Sequence, residues 1–141
     1  MEKNNRVGGG ILVLIVYLTI AVSCYSFAQN NSEKPTPKLI ALDQGAPTRV
    51  VILHGPPETV TVRSGFMVLA PSKSVGKHST KDNEEAIVVM AGRGEFKIIE
   101  GSTFEMHPYC VIYCPPNTEH EVTNTGTDTL RYIYIVAKAK E

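Results

Sequence analysis

The chain lacks tryptophan, and its aromatic content is only 7% of 141 residues. It also lacks a charge bias, because 14 basic side chains are balanced by 14 acidic ones. A protein that binds nucleic acid generally carries a basic patch, so this balance argues against that class of partner. The length is enough for one domain, and the composition is typical of a globular protein.

Cysteine is scarce as well, with three residues in all, and Cys24 belongs to an N-terminal apolar segment. Cys110 and Cys114 lie four residues apart in a stretch typical of a strand, which separates them by roughly 13 Å. A disulfide needs Cα atoms within about 7 Å, so we expect no intrachain bond. We interpret both as small apolar residues on one strand face; a metal or redox role is the alternative.

Residues 1–28 have the layout of a secretory signal peptide. A basic start at Lys3 and Arg6 precedes the apolar run 11–22, which is short for a membrane-spanning helix. Small residues at Ser26 and Ala28 suit cleavage directly after them. We therefore predict an exported protein, periplasmic or secreted, that meets a membrane only through this segment.

Two alternatives apply to the same segment. Residues 21–24, Ala-Val-Ser-Cys, are similar to a bacterial lipobox, which would leave the chain lipid-anchored through Cys24. An uncleaved anchor is the other alternative. Cleavage after Ala28 would leave 12 basic and 13 acidic side chains, so the mature chain would keep its balanced charge.

Beyond the leader, residues 29–37 are polar and contain two prolines, which predicts a flexible linker. From residue 38 onward no stretch has a helical period, and short apolar runs alternate with clusters of Gly, Pro and Asn that are typical of turns. These runs predict strands at 39–42, 49–53, 59–62, 66–70, 86–90, 95–99, 111–114 and 130–137. Both faces of the last run are largely apolar, which predicts a strand covered on both sides. Many short strands favour a sandwich or a closed barrel.

Two separated blocks carry residue types that bind divalent metals. In the first, Glu85 follows His78 by seven residues, and Gly92 follows Glu85 by another seven. In the second, His120 follows Pro115 by five residues. Neutral imidazole and carboxylate both bind first-row divalent ions. Because the blocks are far apart in sequence, a small β-barrel is needed to bring them together.

This spacing resembles the two motifs of the cupin family. The first motif is His-x-His, three or four residues, Glu, six residues and Gly; the second is Pro-x-Gly-x-x-His-x-x-x-Asn, whose last residue matches Asn124. Thr80 stands where the first motif has its second His, and Asn117 replaces the Gly of the second motif. The resemblance implies an all-β, double-stranded β-helix (jelly-roll) barrel over residues 38–141, with no helix longer than about two turns.

The resemblance also implies a site inside this barrel, near one mouth. His78, Glu85 and His120 would hold one divalent ion, Fe, Mn or Zn, and leave positions open for water or substrate. Alternatively, the two histidines are hydrogen-bonded barrel residues without a metal. Candidate pocket residues are Thr80, which would lie near the ion without firm coordination, Asn117, Tyr113, Tyr132 and Tyr134. Glu84, His54 and His107 are expected at the surface.

Three functions are compatible with these residues. The first is a metal-dependent enzyme acting on a small molecule, such as an oxygenase or an isomerase, whose catalytic residues the sequence does not identify. The second is a non-catalytic module that binds a small, sugar-like ligand without metal, and Thr80 favours it over the first. The third is a structural role at the cell envelope. Cupin barrels often pair through edge strands and faces, so we expect a homodimer.

Overall fold

A computed structural model describes residues 34–139. The predicted signal peptide, the lipobox cysteine Cys24 and most of the predicted linker lie outside the described residues. In the described range the chain forms eight strands and no helix: β1 (Val50–His54), β2 (Arg63–Leu69), β3 (Asn83–Ala91), β4 (Gly94–Ile98), β5 (Thr103–Met106), β6 (Val111–Cys114), β7 (His120–Thr123) and β8 (Leu130–Lys138). No helix able to cross a membrane therefore occurs in residues 34–139.

The strands form two sheets that enclose one core. The larger sheet has the order β1-β2-β8-β3-β6 and the smaller one β5-β4-β7. Every strand pair is antiparallel, and several strands that are neighbours in space are distant along the chain. This is a jelly roll. The predicted all-β double-stranded β-helix barrel is confirmed.

The core arises from the alternation of side chains along each strand. On β3, Glu85, Ile87 and Val89 are buried, whereas the residues between them are only half-buried. Phe96 of β4 faces them from the smaller sheet and is completely buried. Glu85 is thus one of the few charged residues that project into the barrel, and its position follows from the strand period.

The strand predictions fail at four places. Residues 39–42 and 59–62 are irregular, and Leu39 and Val60 are exposed, because neither apolar run has a sheet partner. Strands β5 and β7, by contrast, were not predicted. Each has four residues, and in β7 only Val122 is apolar, so a search for apolar runs passes over it.

Strand β8 alternates as predicted, but only one of its faces is fully covered. Leu130, Tyr132 and Val136 are buried, whereas Ile135 on the opposite face is 38% exposed. The segment before β1 covers the N-terminal end of the face that carries Ile135. There, Arg131 donates a 2.9 Å hydrogen bond to the carbonyl of Ala46. The expectation of a strand covered on both sides is therefore wrong for the C-terminal half of β8.

Both cysteines of the barrel are free thiols. Cys114 is buried on β6, and Cys110 lies just before that strand and packs against the core. Burial and the nearby Glu85 carboxylate raise the pKa of the Cys114 thiol. Because the thiolate is the reactive form, the structure favours the apolar packing interpretation for Cys114 over a redox role.

Two glycines with left-handed backbone conformations differ sharply in their surroundings. Gly92, with φ +82°, lies between β3 and β4, and a Cβ there would be 2.5 Å from the carbonyl oxygen of Thr129 and 2.7 Å from the Cα of Leu130. Gly76, with φ +78°, has no atom within 4 Å of the same position. Only Gly92 is therefore required by close packing as well as by backbone conformation.

We predict that Gly92→Ala destabilises the barrel far more than Gly76→Ala. Both variants place a side chain in the left-handed region, which costs about 1 kcal/mol or more. Gly92→Ala must in addition displace the main chain at the start of β8, so we expect a further loss of about 2 kcal/mol in the free energy of unfolding. Denaturant unfolding measures both; equal losses would show that the approach of β8 to Gly92 is not tight.

Candidate metal centre

Three side chains from distant parts of the chain converge inside the barrel. One ligand atom each from His78, Glu85 and His120 lies within 4.8 Å of those of the other two. Glu85 and His120 are buried, whereas His78 is exposed at the mouth. The structure therefore brings together the three residues that the sequence analysis selected as ligands.

The two histidines are joined through their main chains. The amide of His78 donates to the carbonyl of His120 (2.9 Å), and the amide of His120 donates to the carbonyl of His78 (2.8 Å). This antiparallel bridge places the two imidazoles 4.4 Å apart, measured between ring centroids. Phe96 stacks on His120 at a centroid distance of 4.8 Å and limits the movement of that ring.

Hydrogen bonds to the backbone fix the tautomer of both imidazoles. The Nδ1 atom of His78 lies 2.9 Å from the carbonyl oxygen of Gly76. The Nδ1 atom of His120 lies 3.0 Å from the carbonyl oxygen of Thr118. A carbonyl only accepts, so Nδ1 carries the proton in each neutral ring and Nε2 presents a lone pair. Metal-binding histidines usually have this arrangement.

The buried side-chain ends of Glu85 and His120 face each other. When the imidazole is neutral, no hydrogen bond joins them. Glu85 Oε2 and His120 Nε2 are 3.2 Å apart. With Nδ1 protonated, both atoms present only lone pairs, and neither has another partner among the described residues. Leaving buried polar atoms unpaired is unfavourable by about 1–3 kcal/mol per group. A cation between these atoms would remove this penalty, so the donor set fits a divalent metal.

A proton can occupy the same gap when no metal is bound. Burial lowers the pKa of His120, but the Glu85 carboxylate and the Thr118 carbonyl outweigh this effect and raise it above its ordinary value. The imidazolium form donates from Nε2 to Glu85. A metal ion at this site would therefore compete with the proton for one position.

The three side chains open onto a cavity of about 340 Å³. This volume lies within the usual range for sites that bind small molecules. The walls are mostly apolar and include Met67, Val75, Ile87, Val122 and Val136. Tyr132 and Tyr134 also line the cavity, as the sequence analysis expected. Burial and the Glu85 carboxylate raise the pKa of Tyr132 well above its ordinary value, so its hydroxyl stays protonated.

Thr80 lines the cavity but is engaged elsewhere. Its hydroxyl donates a 2.8 Å hydrogen bond to the carbonyl of Asn83, within the turn that precedes β3. This bond directs the hydroxyl proton away from the three ligands. A neutral hydroxyl is in any case a much weaker ligand than imidazole. The structure therefore places Thr80 beside the site without giving it the role of the second histidine.

Two residues expected in the pocket lie elsewhere. Tyr113 is 61% exposed on the outer face of β6, and its hydroxyl donates to Glu84 (3.1 Å). The strand period explains this, because Ile112 and Cys114 occupy the inward positions of β6. Asn117 is exposed in a turn, where its φ of +58° takes the place of the glycine of the motif.

The remaining polar residues lie largely where the sequence analysis placed them. Glu84 points away from Glu85, as expected, although it is half-buried rather than fully exposed. His54 and His107 are exposed and do not line the cavity. Arg49 also lines the cavity but was not among the predicted pocket residues. Arg49 directly precedes β1. It lies at the start of the predicted strand 49–53, but no motif marks it as a pocket residue.

Comparison with known proteins agrees with this geometry. The model of the cupin domain family matches residues 65–136, which include all three candidate ligands. No sequence among curated proteins matches the chain significantly.

Solved structures share the fold at low identity. A cupin protein from Bacteroides fragilis is 23% identical, with 74% of this chain and 86% of that chain covered and a TM-score of 0.62. An RmlC-like cupin family protein from Methanocaldococcus jannaschii is 18% identical, with 72% and 91% covered and a TM-score of 0.61. For the cupin domain of Schizosaccharomyces pombe Cnp3, the values are 18% identity, 64% and 60% coverage and a TM-score of 0.58. Because the family model covers half of the chain and the barrel has the same architecture, this protein belongs to the cupin family.

Proposed function

We propose that this protein is an exported small cupin that binds one divalent ion through His78, Glu85 and His120, and a small molecule in the adjoining cavity. The observation that carries the proposal is the buried pair of unpartnered atoms, Glu85 Oε2 and His120 Nε2. A bound Fe, Mn or Zn ion would supply a Lewis acid or a centre for oxygen activation, as an isomerase or an oxygenase requires. Export is inferred from the N-terminal sequence alone.

The protein itself contributes orientation and exclusion of water. Backbone hydrogen bonds to Nδ1 leave each Nε2 free to bind an ion, and Phe96 supports the His120 ring. The apolar part of the wall limits the access of water to the buried side of the site, which would strengthen polar interactions there. With only three protein ligands, several coordination positions remain for a small molecule or water.

A metal-free binding module is the second candidate function. Thr80 favours it, because this residue removes one ligand of the cupin set. Protonation of His120 would also pair the buried carboxylate without any metal. The two candidates differ in whether the protein binds a metal ion through Glu85. The neighbouring residue Glu84 provides a matched control for this test.

We predict that Glu85→Gln abolishes tight metal binding, whereas Glu84→Gln has little effect. The two side chains have the same chemistry and adjacent positions, but only Glu85 projects into the site. His120→Ala should likewise weaken affinity, by at least about 100-fold, because loss of even an outer-shell partner costs 10–100-fold. Elemental analysis and calorimetric titration with zinc, manganese and ferrous ion provide the measurements.

Two results would contradict the metal site. Equal affinity of Glu85→Gln and the parent would show that the ion binds elsewhere. Absence of any ion after reconstitution of the parent would establish the metal-free module as the better description. Thermal unfolding of each variant tests whether it is still folded, so that a lost fold is not mistaken for a lost affinity.

We predict that Thr80→His tightens metal binding by about tenfold or more, which corresponds to about 1.4 kcal/mol. The variant supplies an imidazole from a position that already lines the cavity. Ser79→His is the control, because it adds the same group at a neighbouring position outside the cavity lining. Parallel zinc titrations decide the point. If both variants bind zinc alike, position 80 is not the vacant ligand position.

We also propose that two copies of the chain associate through the edge of the larger sheet. Strand β6 ends that sheet, and its outward side chains Val111 and Tyr113 are 66% and 61% exposed. Met90 on the adjacent strand is 47% exposed. An open edge with exposed apolar side chains is suited to antiparallel pairing with an identical edge.

We predict that the parent is a dimer at tens of micromolar and that Val111→Asp shifts it to a monomer, because the charge would be buried against its symmetry mate. Light scattering coupled to gel filtration measures the mass. Thr103→Asp, at an exposed position in the smaller sheet, is the control and should leave the dimer intact. A monomeric parent would overturn the proposed pairing.

A further inference from the structure

Arg49 is the cation of the cavity, and the metal centre does not use it. It lines the same cavity as the three candidate ligands. Its guanidinium lies over the ring of Tyr134, 5.2 Å from the centroid, and donates a hydrogen bond to the Tyr134 hydroxyl. The head group is thus held at the cavity wall, although the residue as a whole is exposed to solvent.

The barrel makes room for this pair. Gly65 of β2 lies opposite Tyr134 of β8. A Cβ at Gly65 would be 2.5 Å from the Tyr134 hydroxyl oxygen, so any larger residue would displace the tyrosine. The position of the Arg49 guanidinium therefore depends on β8, which carries Tyr134, and on β2, which leaves space for it at Gly65.

Arg49 has no carboxylate partner among the described residues. The ion pairs in residues 34–139 are Lys38–Glu58, Lys77–Glu119, Arg93–Glu105 and His120–Glu85. A guanidinium has five N–H donors, and the hydroxyl of Tyr134 accepts only one hydrogen bond here. Most of the donors of Arg49 therefore remain available to a ligand.

The charges in the cavity also favour an anion. Glu85 is the only acidic residue in the cavity lining, and Arg49 already balances it. A divalent ion bound beside Glu85 would give the lining a net positive charge. The other lining residues are apolar, aromatic, histidine or threonine, so Arg49 is the only arginine or lysine in the lining.

We propose, on the basis of the metal site proposed above, that the cavity binds a small organic carboxylate whose carboxylate group is held by Arg49. The planar guanidinium matches a carboxylate with two parallel hydrogen bonds, and its hydrogen bond to the Tyr134 hydroxyl holds it at the cavity wall. Arg49 is the only lysine or arginine in the cavity lining, so the wall offers a phosphate dianion no second guanidinium or ammonium group. The ligand is thus an acid rather than the neutral sugar considered from the sequence.

Succinate is the probe, and succinamide is its neutral counterpart of the same shape. Nitrogen-resolved NMR follows the side-chain Nε–H signal of Arg49, first in zinc-loaded and then in metal-free protein. We expect succinate to shift this signal saturably and succinamide to leave it unchanged. Arg49→Gln should weaken succinate binding about tenfold or more, measured on the backbone amide of Thr80, while zinc affinity stays at the parent value.

Two variants separate charge from geometry. Arg63→Gln removes a positive charge outside the cavity lining and should bind succinate like the parent. Arg49→Lys keeps the charge but loses the paired donors, so it should bind succinate more weakly than the parent and more tightly than Arg49→Gln.

Each failure has its own signature. If zinc binds but Arg49→Gln and the parent bind succinate equally, the Arg49 subsite is wrong and the metal site stands. If zinc does not bind, the metal site is wrong, and a saturable succinate shift of Arg49 in metal-free protein still supports the subsite. No shift of Arg49 at tens of millimolar succinate, or an equal shift with succinamide, overturns the proposal. Tighter, Arg49-dependent binding of inorganic phosphate would overturn the carboxylate class.

Discussion

The site depends on one unfavourable contact, in which a carboxylate oxygen of Glu85 faces an imidazole nitrogen of His120 across 3.2 Å in the interior. Burying two lone pairs against each other is stable only if a cation or a proton lies between them. The rest of the barrel holds this arrangement in place. Strand β3 is paired on both sides, which fixes Glu85, and the carbonyl of Thr118 fixes the His120 tautomer. The fold itself thus holds the pair in position.

The barrel and the three candidate ligands were predictable because they depend on spacing. A jelly roll requires many short strands. Period-two alternation places Glu84 and Glu85 on opposite faces, and the six-residue gap to Gly92 selects Glu85 as the inward one. The strand predictions fail where the local pattern of apolar residues disagrees with the pairing of strands in the fold. Residues 39–42 are apolar enough for a strand but have no partner, whereas β7 is mostly polar and becomes a strand because β4 pairs with it. Pairing across distant strands is not encoded in either segment alone.

The pocket was harder to predict than the ligands, because pocket residues carry no spacing rule of their own. Tyr113 and Tyr132 are similar aromatic strand residues, yet Tyr132 faces the cavity and Tyr113 faces outward. Their orientations follow from the register of β6 and β8 against β3, which only the folded sheet defines. Arg49 was missed for a related reason. It lies outside both motifs, and the residue that it contacts in the cavity, Tyr134, is 85 residues away in sequence.

The change at Thr80 and the presence of Arg49 become connected once open coordination positions and charge are considered together. A histidine at position 80 would add a neutral ligand and occupy a coordination position, but it would not alter the charge of the site. With Thr80 there instead, an ion bound by two neutral imidazoles and one carboxylate would keep a net positive charge and more open positions. Arg49 adds a second positive group to the same cavity. Under the proposed function, the missing ligand and the added cation act together, because an anionic ligand can complete the coordination of the ion while its carboxylate pairs with the guanidinium.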